Sequence, residues 1–251
     1  MPKIALITGA NRGLGRSTAL SLAGAGVDLI LTYRSSAEEA QAVVDAVTAL
    51  GRTAVAIRLD VADLGSFDAF ADQVRSALKD RWAVDTFDFL INNAGVGPGA
   101  PFAETSVEIF DELLNVHFRG MYFLTQRLLP LLADGGRIVN LSTGLTRFVG
   151  PGYSAYAAMK GAVEVLTRYQ AQELGSRGIT VNTIAPGPTA TDFAGGMMRD
   201  NEQLRELLGK QTALGRVGEP ADIGGAISTL LADDAGWITA QRIEVSGGTR
   251  L

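Results

Sequence analysis

Between the apolar run Ile4–Ile7 and a helical pattern over Ser17–Leu22, the chain reads Thr8-Gly9-Ala10-Asn11-Arg12-Gly13-Leu14-Gly15. Three glycines at this place allow a tight turn from a strand into a helix and a close approach of a pyrophosphate to the backbone. The free N–H groups at the start of the helix would attract that phosphate. The glycine spacing departs from Gly-x-Gly-x-x-Gly, and taken alone it is explained equally well by a tight strand-to-helix connection.

Short apolar runs recur along the chain, and longer stretches with helical spacing lie between them. Such runs are typical of buried strands, and their alternation with helices predicts a parallel sheet covered on both faces. The predicted strands are Ile4–Ile7, Val27–Leu31, Ala54–Leu59, Phe89–Ile91, Arg137–Leu141, Ile179–Ile184 and Arg242–Val245. The later predicted helices are Ser36–Leu50, Ser66–Leu78, Ser106–Leu132 and Tyr156–Leu174.

This pattern is not interrupted by a linker, a repeat or a low-complexity segment. The sequence therefore predicts the α/β class, with a single doubly wound Rossmann-type domain over residues 1–251. Its seven-stranded parallel sheet would carry helices on both faces. The least regular part, about 188–215, is predicted to lie over the carboxyl ends of the strands as a substrate lid.

The composition excludes several classes of protein. A net charge of −5 leaves no basic excess for binding nucleic acid, and without cysteine there are no disulfides, zinc thiolates or cysteine nucleophiles. We also see no metal-ligand cluster, signal peptide or apolar run of membrane-spanning length. We therefore expect a cytoplasmic protein without a metal and without nucleic-acid or membrane partners.

The end of the second predicted strand bears on which dinucleotide would bind. It reads Leu31-Thr32-Tyr33-Arg34-Ser35, without the acidic residue that binds the ribose 2′-hydroxyl of NAD. Arg34 and Arg12 can each hold a 2′-phosphate through a guanidinium fork, although each could also be a solvated surface arginine. Two basic residues at the two expected places favour NADP(H) over NAD(H).

Tyr156 and Lys160 are four residues apart in a helical stretch, which places both side chains on one helix face. An ammonium beside a phenol favours the phenolate, so the pKa of Tyr156 is expected to fall toward neutral pH. The pair would then exchange protons with a substrate.

Other motifs accompany this pair: Asn92-Asn93-Ala94-Gly95, Asn115, Ser142-Thr143 and Pro186-Gly187. With them, essentially the whole chain resembles the short-chain dehydrogenase/reductase family. It is similar to the common single-domain subfamily that includes 3-oxoacyl-(acyl-carrier-protein) reductases and ketoreductases. The resemblance implies reversible reduction of a ketone or 3-oxoacyl carbonyl to an alcohol with NADP(H), and a homotetramer.

The resemblance also implies roles for the matched positions. Tyr156 would be the general acid in reduction, Lys160 would lower its pKa and bind the nicotinamide ribose, and Asn115 would hold a water in a proton relay to Lys160. The implied cofactor-binding residues are Gly9, Asn11, Arg12, Gly13, Leu14, Gly15, Tyr33, Arg34, Asp60, Val61, Asn92, Ala94, Gly95, Tyr156, Lys160, Pro186, Gly187, Thr189 and Thr191.

The hydroxyl that would bind the substrate oxygen has two candidates. The family has a serine thirteen residues before the tyrosine, but this chain has Thr143 there and Ser142 beside it. We favour Thr143, because adjacent strand residues point to opposite faces.

The sequence also bears on four other functions. A Ser-His-Asp hydrolase would need a histidine base, but the single histidine, His117, lies in a helical run and is interpreted as chemically unimportant. A sugar-nucleotide epimerase would usually be longer. A non-catalytic dinucleotide sensor would not need the hydroxyl, tyrosine, lysine and asparagine set, but it stays an alternative, which loss of NADPH oxidation with intact cofactor binding would favour. An NAD-dependent alcohol dehydrogenase of the same family also stays an alternative.

The loops predicted to form the substrate pocket are mostly apolar and suggest an uncharged ketone as the substrate. Arg147 is the residue of these loops that could pair with an acidic group.

Overall fold

The computed structural model describes residues 2–251, apart from the side chain of Ala194. Its strands form one parallel sheet of seven, in the order β3-β2-β1-β4-β5-β6-β7. The predicted α/β fold with a seven-stranded parallel sheet is thus confirmed. The strands are β1 (Ile4–Ile7), β2 (Asp28–Tyr33), β3 (Ala54–Arg58), β4 (Phe87–Asn92), β5 (Leu132–Leu141), β6 (Thr180–Pro186) and β7 (Arg242–Val245).

The helices cover both faces of this sheet. They are α1 (Gly13–Gly24), α2 (Ala37–Ala49), α3 (Phe67–Trp82), α4 (Val107–Leu114), α5 (Met121–Leu128), α6 (Ser154–Leu174), α7 (Met197–Asp200), α8 (Glu202–Gly209) and α9 (Pro220–Leu230). Successive strand residues point to opposite sides. Leu6 therefore packs in a core with α3 and α5, whereas Ile7 packs in a second core with α1, α2 and α9.

One predicted helix is not continuous. The pattern over Ser106–Leu132 forms α4 and α5, joined by a π turn at Asn115–Gly120. The helical part ends early because Pro130 lies in a short 3₁₀ turn and β5 begins at Leu132. Gly120 lies directly against the chain after β3, where a Cβ would collide with the carbonyl oxygen of Val61. The π turn is thereby held close to the sheet.

The strand order reverses direction at β1 and β4, which opens a crevice at their carboxyl ends. Two side chains tie the two strand ends together. Thr8 Oγ1 accepts hydrogen bonds from the N–H groups of Asn93 and Ala94, both at 2.9 Å. Asn93 Nδ2 donates to the carbonyl oxygens of Thr8 and Gly9 at 2.8 and 3.0 Å. These bonds fix the floor of the crevice.

Candidate active site

A cavity of about 640 Å³ opens at the carboxyl ends of the strands. The loops that follow β1 to β6 all contribute to its walls, as Rossmann-type sheets generally arrange their ligand sites. Most predicted cofactor residues line it. They are Gly9, Asn11, Arg12, Gly13, Leu14, Gly15, Arg34, Asp60, Val61, Ala94, Gly95, Tyr156, Lys160, Pro186, Gly187, Thr189 and Thr191.

The glycine turn after β1 is shaped to admit a ligand close to the backbone. Gly9 has φ +63°, a conformation that favours glycine. At Gly15 a Cβ would lie 2.6 Å from Asn93 Nδ2, so any larger residue would displace the bonds between β1 and β4. The start of α1 has neither a side-chain cap nor an acidic residue in its first turn. Its N–H groups therefore face the cavity and can bind an anion.

The far end of the cavity carries charges of both signs. Arg12 and Arg34, the two arginines predicted to hold a 2′-phosphate, are exposed and line it. Glu39, in the first turn of α2, also lines it and accepts a hydrogen bond from Asn11 Nδ2 at 2.6 Å. This carboxylate was not predicted from the sequence, because it lies in α2 and not at the end of β2. Tyr33, predicted to bind the cofactor, is not among the residues of the cavity wall.

Tyr156 and Lys160 lie buried at the opposite end, on α6. Lys160 Nζ is 5.9 Å from the centre of the Tyr156 ring and donates to the carbonyl oxygen of Leu141 at 2.7 Å. The strand end of β5 therefore anchors the lysine beside the tyrosine. Burial lowers the pKa of Lys160 to about 7.

The pKa of Tyr156 lies above its usual value, not below it as the sequence analysis expected. Burial of the phenol is the largest cause, whereas hydrogen bonding with Thr143 lowers the pKa and the neighbouring Tyr153 raises it. Lys160 does not counteract the rise in the pKa of Tyr156, because burial also disfavours the charged form of the lysine. The phenol is consequently a group that keeps its proton at neutral pH.

The two candidate hydroxyls after β5, those of Ser142 and Thr143, have different partners. Thr143 affects the phenol of Tyr156, as described above. Ser142 Oγ instead donates to Glu164 Oε1 at 2.7 Å, although the residue also touches the cavity. Thr143 is therefore the hydroxyl that the strand presents to Tyr156.

The π turn presents His117 to the site, and Asn115 stays outside the residues that line the cavity. Asn115 Oδ1 accepts a long bond of 3.4 Å from Arg119 on the same turn. The ring of His117 is buried and stands edge-on to Tyr156, with 5.1 Å between the ring centres. The sequence analysis dismissed this histidine because a lone helical histidine gives no signal of its surroundings.

The segment after β6 brings Phe193 against Tyr156, with ring centres 5.7 Å apart. A Cβ at Gly97 would lie 2.6 Å from the Phe193 ring, so glycine there makes room for it. Arg147, predicted to meet an acidic substrate, is instead paired with Glu244 at 2.6 Å. Arg250 is the arginine that lines this part of the cavity.

Comparison with known proteins agrees with this arrangement. A family model described as enoyl-(acyl carrier protein) reductase matches residues 9–250. The chain is 37% identical to the 3-oxoacyl-(acyl-carrier-protein) reductase FabG of Staphylococcus aureus, across 99% of this chain and 98% of that protein. This chain belongs to the short-chain dehydrogenase/reductase family.

Solved structures of family members superpose closely on the chain. The angucycline C-6 ketoreductase LanV, described with bound NADP, is 37% identical with a TM-score of 0.93, covering 99% of this chain and 95% of its own. The promiscuous reductase LugOII, which catalyses keto-reduction at C1 during lugdunomycin biosynthesis, is 36% identical with a TM-score of 0.93, covering 99% and 97%. Within residues 2–251, none of this member's helices combines the length and apolar character needed to cross a membrane.

Proposed function

We propose that this family member is an NADPH-dependent reductase that converts a ketone to an alcohol, with Tyr156 as the proton donor. The observation that carries the proposal is one cavity with two functional ends. Buried Tyr156, Lys160 and Thr143 lie at one end, and the glycine turn with Arg12 and Arg34 at the other. Relatives described as ketoreductases, one with bound NADP, support the same assignment.

The residues of the cavity fit NADP(H). Gly9 and Gly15 let the turn pack directly against Ala94 and Asn93, and the uncapped start of α1 supplies N–H donors for a pyrophosphate. Arg12 and Arg34 would hold the 2′-phosphate, while Asp60 and the chain after β4 would hold the adenine and ribose side. When bound, NADPH supplies the hydride that reduces the carbonyl carbon.

Tyr156 and Thr143 act on the carbonyl oxygen. The raised pKa of Tyr156 keeps the phenol protonated, so it can donate a hydrogen bond to the oxygen and then its proton. The Thr143 hydroxyl orients the same oxygen, and we assign it this role in preference to Ser142. Lys160 would bind the nicotinamide ribose and favour the phenolate that proton transfer leaves behind.

The substrate is a largely apolar ketone. Its end of the cavity is lined mostly by aliphatic and aromatic side chains, which favour an uncharged molecule. These side chains are Val96, Leu145, Phe148, Val149, Tyr153, Phe193, Met197, Leu204 and Leu208. Arg250 could pair with an acidic tail if the substrate has one.

The assembly and location remain predictions. Exposed apolar side chains on α4, α5 and α6 support a homo-oligomer, and the resemblance implies a tetramer. They are Val107, Phe110, Tyr122, Phe123, Val165 and Tyr169. A single domain with a lid at about 188–215 and a cytoplasmic location are likewise proposals.

The function is tested by following NADPH oxidation with a panel of apolar ketones. We expect Tyr156→Phe to lower kcat by about 100-fold or more, the usual contribution of a general acid, while NADPH still binds. Ser142→Ala is the matched control, because Glu164 keeps its bonds to Thr146 and Arg242. Equal activity of Tyr156→Phe and wild type would exclude Tyr156 as the donor, and no turnover by wild type with any ketone would contradict the proposed function.

A further inference from the structure

Two buried polar atoms near Lys160 have no hydrogen-bond partner among the described residues: Asn92 Oδ1 and His117 Nδ1. The amide group of Asn92 is otherwise fully used, because Nδ2 donates to Thr125 Oγ1 at 3.0 Å and to Asn140 Oδ1 at 2.8 Å. Buried polar atoms are nearly always satisfied, so two unpaired ones in one place need an explanation.

Both atoms can only accept a hydrogen bond. The oxygen of Asn92 is an acceptor by its chemistry. His117 Nε2 is 2.7 Å from the carbonyl oxygen of Val96, which is the geometry of a donated bond and closer than the 3.3 Å to the N–H of the same residue. The neutral ring therefore carries its proton on Nε2 and leaves a lone pair on Nδ1. Burial, followed by the charge of Lys160, lowers the pKa of His117 to about 3, so the ring stays neutral at working pH.

A small separate cavity, of about 10 Å³, lies among these groups. Asn92, His117 and Lys160 all line it, together with Thr8 and five apolar residues. This space is close to the smallest that holds one water molecule, and a buried water needs two to four polar partners.

We propose that this cavity binds a single water that donates to Asn92 Oδ1 and His117 Nδ1 and accepts a hydrogen bond from Lys160 Nζ. One water satisfies both unpaired acceptors, because it has two O–H groups to donate. Lys160 has three N–H donors and gives one to Leu141, so another is free for the water. His117 would thus hold a water at Lys160, which is what the resemblance implies for Asn115.

The water makes His117 a positioning residue for Lys160, which rests on the proposed function. The accepted bond stabilises the ammonium form, and that form is the one able to support the phenolate of Tyr156. The titratable groups that face Lys160 are His117 from the π turn and Tyr156 from its own helix. The ends of β1, β4 and β5 contribute Thr8, Asn92, Leu141 and Ser142, which are uncharged.

Two substitutions distinguish the role of Nδ1 of His117 from the role of Nε2. His117→Asn can place an acceptor oxygen near the position of Nδ1 but does not reach Val96. His117→Gln reaches Val96 but offers the water nothing at Nδ1. We expect the Asn variant to keep kcat within about threefold, and the Gln variant to lose about tenfold in kcat with little change in KM. The Gln variant should also lose activity at lower pH than wild type on the alkaline limb, because its Lys160 deprotonates more readily.

The opposite order, with Gln active and Asn impaired, would mean that His117 only supports Val96 and would overturn the proposal, as would two active variants. If both are impaired, an unshifted alkaline limb in the Gln variant overturns it and a shifted one supports it. A high-resolution crystal structure of the wild type reads the site independently of turnover. Density for a water within hydrogen-bond distance of all three atoms supports the proposal even if no ketone is reduced, and its absence excludes it.

Discussion

Single side chains set the charge at the far end of the cavity. Arg12 and Arg34 bring two positive charges to it, and Glu39 brings one negative charge that already accepts a bond from Asn11. Asp60 lines the cavity as well, so two carboxylates match the two arginines in number, and the arginines would bind a 2′-phosphate by their guanidinium groups and not through a net positive charge.

The variant Arg12→Ala/Arg34→Ala should lose NADPH affinity by about 10- to 100-fold, since each charged hydrogen bond contributes modestly. NADH lacks the phosphate and should bind about as before. Titration of both nucleotides by fluorescence measures this. Arg16→Ala is the control, because Arg16 is exposed on α1 outside the cavity wall. NADH binding as tight as NADPH binding in the wild type would refute the cofactor assignment.

Among single residues, the sequence predicted those whose position follows from a strand end or a helix turn. Examples are the glycine turn, Tyr156, Lys160 and Thr143. His117 could not be predicted, because its contact with Tyr156 depends on the π turn. Asn115 and His117 are two residues apart and would point about 200° apart on a regular helix, so the choice between them needs the actual helix geometry.

Among the elements, the segment after β6 reaches furthest toward Tyr156 through a side chain of the cavity wall. Phe193 lies in it, packs on Tyr156 and occupies the space left by Gly97. Phe193 therefore narrows the cavity beside Tyr156. The sequence identified the segment by its irregular pattern, but not which of its side chains meets Tyr156.

We expect Phe193→Ala to raise kcat/KM for bulky ketones by about five- to tenfold and to lower it for small ones, which lose an apolar contact. A panel of ketones graded by size measures the change. Phe102→Ala serves as the control, because that side chain is 86% exposed and outside the cavity wall. A uniform loss for all ketones would indicate that Phe193 supports Tyr156 without selecting the substrate.

The stability of the whole molecule is linked to pH through Lys160. Its pKa is about 7 in the folded chain, and lysine titrates near 10.4 when exposed. Between these values the unfolded chain binds more protons, so the free energy of unfolding rises with pH through this interval. Below pH 7 the folded protein carries the full cost of a buried charge.

Lys160→Met removes this titration, and His117, whose pKa the charge of Lys160 also lowers, titrates well below this interval. The stability of the wild type relative to Lys160→Met should therefore increase as pH is raised from about 7 toward 10. Urea unfolding at several pH values measures both proteins, with Lys79→Met as the control at an exposed ion pair. A difference that does not change with pH would show that the folded pKa is not lowered.

The sheet was the most predictable feature of the whole molecule. Seven apolar runs separated by helical patterns leave few arrangements, and every predicted strand is present. Strand ends were less predictable: β5 begins at Leu132, five residues before Arg137, because the polar stretch Asp134-Gly135-Gly136 hides its start. Only the folded chain shows how Arg147 pairs with Glu244, 97 positions away.

The π turn between α4 and α5 also constrains the length of the chain there. One turn of π geometry contains about one residue more than an α-helical turn, and each helical residue advances the side-chain direction by about 100°. The π turn thus lets α4 pack against α6 while α5, which follows it directly, packs against α3. Deleting one residue there would rotate every later side chain of α5 out of phase, so this segment tolerates substitution far better than a change in length.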